Sequence, residues 1–275
     1  MLRRGLLWAS TNPFLAERLP RLPFVRRAVR RFMPGESTED ALDAAARRER
    51  EGAGAVLTLL GENVEDEAEA RAVVDHYRGV LERARERGLD VEISVKPTHL
   101  GLDLSPDLAA QNLRELTAAA EGSFVWVDME SSPYVDATLE LYRAARREHD
   151  HVGVCLQAYL HRTPTDLQAL LPLEPAIRLV KGAYLEPPDV AHPKKRSVDA
   201  AFKSLARTLL LERRAGRMGR PALATHDGNI QGDVTRMARE LAAAESGAVY
   251  ARLGTTAQEF GTLASWLVDV LNALT

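Results

Sequence analysis

From residue 53 to about residue 226, short apolar runs alternate with longer amphipathic ones. The short runs are AVLTLL (55–60), VEISV (91–95), FVWVD (124–128), VGVCLQAY (152–159), IRLVK (177–181) and PALATH (221–226). They are rich in β-branched residues and apolar at adjacent as well as alternate positions. Each therefore reads as a strand buried on both faces, the pattern of a parallel sheet. The intervening stretches are rich in Ala, Leu, Arg and Glu with helical spacing. The clearest, residues 65–88, opens on Glu65, Asp66 and Glu67 and closes on Gly88 behind Arg85 and Arg87, the charge order that a helix dipole favours. Ser105-Pro106 reads as an N-cap followed by a first-turn proline. One strand follows another at intervals of roughly 25–45 residues, the size of a βαβ unit.

Such alternation builds an α/β sheet, either closed as a barrel or open and doubly wound. The first strand ends LLGENVED, without the G-x-G-x-x-G loop of an open dinucleotide-binding sheet. The expectation is a (βα)8 TIM-type barrel over residues 51–275, preceded by an N-terminal helical arm over residues 1–50.

Composition narrows the function classes. A net charge of −3 gives no reason to expect nucleic acid or another obligatory polyanion as partner. The lone Cys155 excludes an internal disulfide and suits a reducing, cytoplasmic compartment; within VGVCLQAY it reads as a buried, inert thiol. No stretch approaches the ~18 unbroken apolar residues of a membrane span. Residues 1–33 carry Arg3, Arg4, Arg18, Arg21, Arg26, Arg27, Arg30 and Arg31 against the single acid Glu17. LLWAS is too short for a secretory core, so no signal peptide is expected. The arm reads as a solvated or packing face, with peripheral contact on an anionic membrane surface as the alternative.

Candidate chemistry gathers where the strands end. In order these ends carry Glu62; Lys96, Thr98 and His99; Asp128 and Glu130; Gln157 and Tyr159; Arg178, Lys181 and Tyr184; Thr225, His226 and Asp227. A single charge at a strand end usually marks only the edge of a core. Six successive ends with polar groups would instead form a ring on the face where barrels keep their active sites. Arg178 and Lys181 fall on opposite faces by the two-residue alternation, one towards the mouth and one over the rim. A metal centre is not expected, because the cations of this rim compete for its carboxylates and the rim shows no His-x-His or Glu-x-x-His pair. Lys181 remains a candidate Schiff-base lysine of a barrel lyase.

The stretches LTLLGENV, ISVKPTHLGLDLS, VWVDMESSPY, VGVCLQAYLHRTPTDL, IRLVKGAYLEP and LATHD, in this order and spacing, resemble the proline dehydrogenases, flavoenzymes with a (βα)8 barrel. The resemblance covers roughly residues 40–230. It implies FAD as cofactor and oxidation of L-proline to 1-pyrroline-5-carboxylate, the first step of proline degradation to glutamate, with a quinone as electron acceptor. It also implies residue roles. Lys96 would contact the proline carboxylate and the flavin region, and Tyr184 would pack against the substrate. Asp128 and Arg178 would be catalytic, Asp128 beside the active site and Arg178 near the flavin N5. Met129 would lie next to the flavin and Gln157 would hydrogen-bond the isoalloxazine. Lys181, Gly182 and Ala183 would line the FAD phosphates and ribityl chain, with Thr225 and His226 on the adenosine side.

The family continues with a Glu-Phe-Gln-x-Leu strand, a strand ending Pro-Tyr-Gly and a helix with Tyr-x-x-Arg-Arg, whose arginines hold the substrate carboxylate. Residues 231–275 carry none of these, and Glu62 would lose its arginine partner on that helix. Arg236 and Arg239 have helical spacing but read as a solvated face. Residues 248–253 read as a seventh strand and TTAQEFGTLASWLVDVLNAL as a last helix, with no eighth strand. Three arrangements follow: an incomplete barrel, a barrel closed differently, or a homo-oligomer in which a second copy supplies the missing elements. The corresponding alternatives in function are a degenerate flavin-binding barrel without turnover and the Lys181 lyase.

Overall fold

The computed structural model describes residues 37–241 and 252–255, with residues 239–241 and 252–255 as backbone. The basic segment 1–36, the expected last helix and most of residues 248–253 lie outside the described residues. Helix α1 (Thr38–Arg50) comes first, closed at its start by a reciprocal bond between Ser37 and Asp40. Strands and helices then alternate: β1 (Ala55–Leu59), α2 (Glu67–Glu86), β2 (Val91–Val95), α3 (Pro106–Ala120), β3 (Val125–Val127), α4 (Val135–Glu148), β4 (Val152–Gln157), α5 (Thr163–Leu170), β5 (Ala176–Val180), α6 (Lys195–Arg214), β6 (Pro221–Leu223) and α7 (Gly228–Leu241). A seventh strand, β7 (Arg252–Thr255), completes the described residues.

The expected helix starts have their predicted chemistry. The Asp66 carboxylate accepts the Glu69 amide at the head of α2, and the Ser105 hydroxyl accepts the Leu108 amide ahead of Pro106. The strands form one parallel sheet in the order β6-β5-β4-β3-β2-β1-β7. Each of β1 to β6 pairs with its neighbour in sequence, and β7 pairs with β1 from Val56↔Arg252 to Leu59↔Thr255. The last strand thus stands where an eighth would stand in a closed barrel, and among the described residues no strand joins it to β6. Among the described residues the barrel is therefore open on that side.

The two faces of the sheet divide cleanly. Leu57, Ile93, Val95, Val125, Val127, Val154, Leu156, Ile177 and Leu179 face the helices, and most of them share one core with Val74, Tyr77, Leu113, Leu116, Tyr142, Phe202 and Leu209. Tyr77 spans the layers: its hydroxyl accepts the Leu59 amide and donates to the Ser94 carbonyl. The alternate residues, Val56, Thr58, Glu92, Ser94, Trp126, Asp128, Gly153, Cys155, Gln157, Ala176, Arg178 and Ala222, face the other way. That second face curls on itself. Glu92 on β2 pairs with Arg220, just before β6, at 2.5 Å. Four strand spacings of a flat sheet would separate them by roughly 19 Å.

Candidate active site

Polar side chains fill the concave face at two heights. At mid-height, Arg178 on β5 pairs with Asp128 at the end of β3, and its Nη2 donates to the Ser94 hydroxyl at 2.7 Å. Ser94 in turn donates to Asp128 Oδ1 at 2.9 Å, so one carboxylate, one hydroxyl and one guanidinium form a closed triangle. Burial, the largest single influence, works against the Arg178 charge, but Asp128, Cys155 and Glu92 together hold the guanidinium above its ordinary pKa. Cys155 lies beside them with its thiol pushed up by burial, as an inert thiol should be. Ser94, which sequence reading passed over, had a signal: it sits two residues before Lys96 and so shares the inward face.

The upper tier is the mouth. Glu62, from the β1 loop, takes both an ion pair from Lys96 and a 2.8 Å hydrogen bond from the Tyr184 hydroxyl. The expected loss of an arginine partner on a last helix concerns residues outside the described ones; among the described residues Lys96 and Tyr184 close on Glu62. Burial, and then the Glu62 charge, push the Tyr184 hydroxyl well above its ordinary range. Glu130 lies behind, accepting the Thr98 amide at 2.9 Å and the Thr98 hydroxyl at 2.6 Å. The Thr98 oxygen accepts the Asn63 amide at 3.2 Å, which ties the ends of β1, β2 and β3 together.

Gln157 donates to the Met129 carbonyl at 3.0 Å, while its own Oε1 is buried with no hydrogen-bond partner among the described residues. Met129 is buried. A buried amide oxygen left open is a costly arrangement that an N–H donor of a bound group would relieve.

Lys181 does not share this interior. It reaches over the rim to Asp199 on α6 at 2.6 Å and Asp227 at 3.0 Å, and Lys195 contacts the same two carboxylates at 2.6 and 2.8 Å. Asp227, held far below its ordinary range first by Lys195 and then by Lys181, also accepts the Asn229 and Ile230 amides at the start of α7. Thr225 accepts the Asp227 amide at 3.2 Å; His226 and Ala183 are exposed. Gly182 adopts φ +117°, and a Cβ there would lie 2.1 Å from the Tyr159 ring, so the ring rests directly on bare backbone. Lys195 and Asp199 were missed in the sequence because a helix-borne pair at four-residue spacing looks like any solvated face.

The structure thus sorts the candidate residues into three groups. Asp128, Arg178 and Gln157 lie within the barrel, Met129 is buried in the adjoining core with its carbonyl bonded to Gln157, Lys96 and Tyr184 meet at the mouth, and Lys181, Gly182, Ala183, Thr225 and His226 run along the β5–β6 rim. His149-x-His151 occurs at the opposite end of the barrel, before β4, where His151 bonds the Thr117 carbonyl. Among the described residues no three His, Cys, Asp or Glu side chains are grouped to hold a metal, and no helix is long and apolar enough to cross a membrane.

The donor set suits a flavin dinucleotide. An open buried acceptor, Gln157 Oε1, and a buried cation, Arg178, lie at the centre, and Lys181 and Lys195 line one flank.

A family model for proline dehydrogenase matches residues 41–261. Proline dehydrogenase 1 of Bacillus subtilis (strain 168) is 37% identical over 232 residues, covering 84% of this chain and 75% of that protein. The proline dehydrogenase of Deinococcus radiodurans is 37% identical over 241 residues, covering 85% and 76%. Among solved structures, proline utilization A (PutA) from Bdellovibrio bacteriovorus inactivated by N-propargylglycine superposes with a TM-score of 0.79 at 20% identity over 91% of this chain. PutA from Corynebacterium freiburgense gives 0.73 at 20% over 99%. This chain spans 33% of the length of each of those two, and they share its fold. With the family model and these relatives matching over most of its length, the chain belongs to the proline dehydrogenase family.

Proposed function

We propose that this chain oxidises L-proline to 1-pyrroline-5-carboxylate with FAD as its cofactor and a quinone as the final acceptor. The observation that carries the reading is the buried Arg178–Asp128–Ser94 triangle below the open Gln157 oxygen, in a chain of this family. Bound FAD would supply the acceptor for the two electrons and hydrogen that leave proline, chemistry that no side chain offers.

The residues of the chain divide the remaining work. Gln157 and Met129 would hold the flavin ring, and Lys181, Gly182 and Ala183, with Thr225 and His226, would follow its phosphate and adenosine portions. Arg178 keeps a fixed positive charge where negative charge gathers as electrons arrive, and a preorganised charge in a dry interior stabilises that change strongly. Asp128 and Ser94 prevent the guanidinium from swinging away. Lys96 is the cation at the mouth for the proline carboxylate, which would take the place now held by Glu62. Tyr184 forms the adjacent wall. The ring carbon next to nitrogen, on the side away from the carboxylate, then loses hydrogen while the ring nitrogen becomes the imine. The sequence alternative of a Lys181 lyase finds no support here, because Lys181 is held between Asp199 and Asp227 outside the central face.

The test is the visible spectrum of the purified protein, repeated without oxygen after addition of L-proline. An oxidised-flavin spectrum that bleaches with proline is expected. A flavin that stays oxidised would overturn the proposed turnover, and a protein that takes up no added FAD would overturn the cofactor.

A further inference from the structure

Below Arg178 the concave face is closed by side chains that make no contact with the mouth. Trp126 lies under the guanidinium, with Arg178 Cζ 5.3 Å from its ring centroid. Arg220 approaches the same indole at 5.7 Å and Phe124 at 4.7 Å, and the two aromatic rings lie 5.1 Å apart. The indole is fixed in its own plane. Its Nε1–H donates to Glu92 Oε2 at 2.7 Å, and the other Glu92 oxygen holds Arg220. Its benzo edge rests on Gly153, where a Cβ would come within 2.4 Å of Cζ3. Trp126 is fully buried.

We propose that Trp126 is a positioning residue for Arg178: its indole, braced by Glu92, Arg220 and the bare backbone of Gly153, sets the height and tilt of the guanidinium beneath the bound flavin. This rests on the flavin reading above. The physical case comes from what Asp128 and Ser94 leave undone. The Asp128 and Ser94 contacts both run through Nη2, which fixes one corner of a planar cation on a side chain with several rotatable bonds and leaves its tilt to the neighbours around it, Cys155 and the indole. A flat guanidinium is weakly hydrated on its faces and stacks on an indole, whose electron-rich face attracts it. The stack fixes the plane that the hydrogen bonds leave free. The support is itself neutral overall, since Glu92 balances Arg220, so it orients Arg178 without adding net charge beneath the flavin.

The test uses flavin-loaded wild type, Trp126→Leu and Trp126→Phe. Flavin midpoint potential and flavin dissociation constant are measured, with circular dichroism as the check on folding. Trp126→Leu is expected to lower the midpoint potential and weaken flavin retention at least tenfold. Trp126→Phe, which keeps an aromatic face but loses the bond to Glu92, should recover part of both. Potentials and dissociation constants equal to wild type in a folded Trp126→Leu protein would overturn the proposal. Should that variant not fold, Trp126→Phe decides: an unchanged potential and dissociation constant overturn it. The Arg178 Nε–Hε resonance of the cofactor-free protein separates this idea from the flavin reading. A ring-current shift that disappears in Trp126→Leu supports the stack even if no flavin binds, and an unshifted resonance in wild type overturns it.

Discussion

Glu130 and His99 show how one buried wall holds two groups with opposite pH behaviour. Glu130 is 2% exposed, and burial pushes its carboxyl up to about 7 against the pull of the two Thr98 donors. His99, 7% exposed, is pulled down to about 4 by burial and then by the Lys96 charge. Its ring lies so close to Gly61 that a Cβ there would come within 2.6 Å. Folded Glu130 holds a proton that the unfolded chain releases near 4.5, so its contribution to stability is lost as pH rises from about 4.5 to about 7. Folded His99 refuses a proton that the unfolded chain takes up near 6.5, so its contribution is lost as pH falls from about 6.5 to about 4. Each effect is on the order of 3 kcal/mol across its window. Denaturant titrations from pH 4.5 to 7.5 should therefore show Glu130→Gln gaining stability relative to wild type as pH rises. His99→Gln should gain relative to wild type as pH falls. Parallel curves for all three proteins would show that neither group titrates in this way. Both residues were legible in the sequence as rim positions, but not as titrating ones, because their behaviour is set by burial.

At the level of elements, the chain leaving β5, the strand that carries Arg178, turns at Gly182 so that Tyr159 can lie across the backbone. Gly182→Ala combines a disfavoured φ of +117° with a methyl group 2.1 Å from a ring carbon. The expected loss is about 2–4 kcal/mol, read as a lowered denaturation midpoint. A midpoint within error of wild type would mean that the Tyr159 ring swings aside. Here the sequence was informative about existence and less so about ends. VEISV is β2 to the residue, and Ser105-Pro106 caps α3 as expected. Yet Asp128, Ala158, Tyr159, Thr225 and His226 were read into strands that stop before them. Apolar run length does not see where a ladder ends.

For the whole molecule, two-faced apolar strands at βαβ intervals were enough to expect a barrel. What the pattern hid is that the concave face is polar through most of its depth, because Glu92, Ser94 and Arg178 are single polar letters inside apolar runs. It also hid the placement of β7 beside β1, which depends on pairing across the full length of the chain. One property of the mouth reaches beyond the fold. Lys96, Arg178, Lys181 and Lys195 each already touch a carboxylate of the chain, so the protein serves as its own counter-ion. On the proposed role of Lys96, an arriving carboxylate would exchange with Glu62 instead of expelling dissolved salt from a bare lysine. Binding of a cyclic carboxylic acid that lacks the ring nitrogen should vary little between low and high ionic strength. Glu62→Gln should bind it more tightly and with a clear salt dependence. A steep dependence in wild type would show that the Lys96–Glu62 pair stands open in solution. If the pair is closed, selectivity begins at the entrance: a ligand is admitted only if it satisfies Lys96 better than the chain's own acid does.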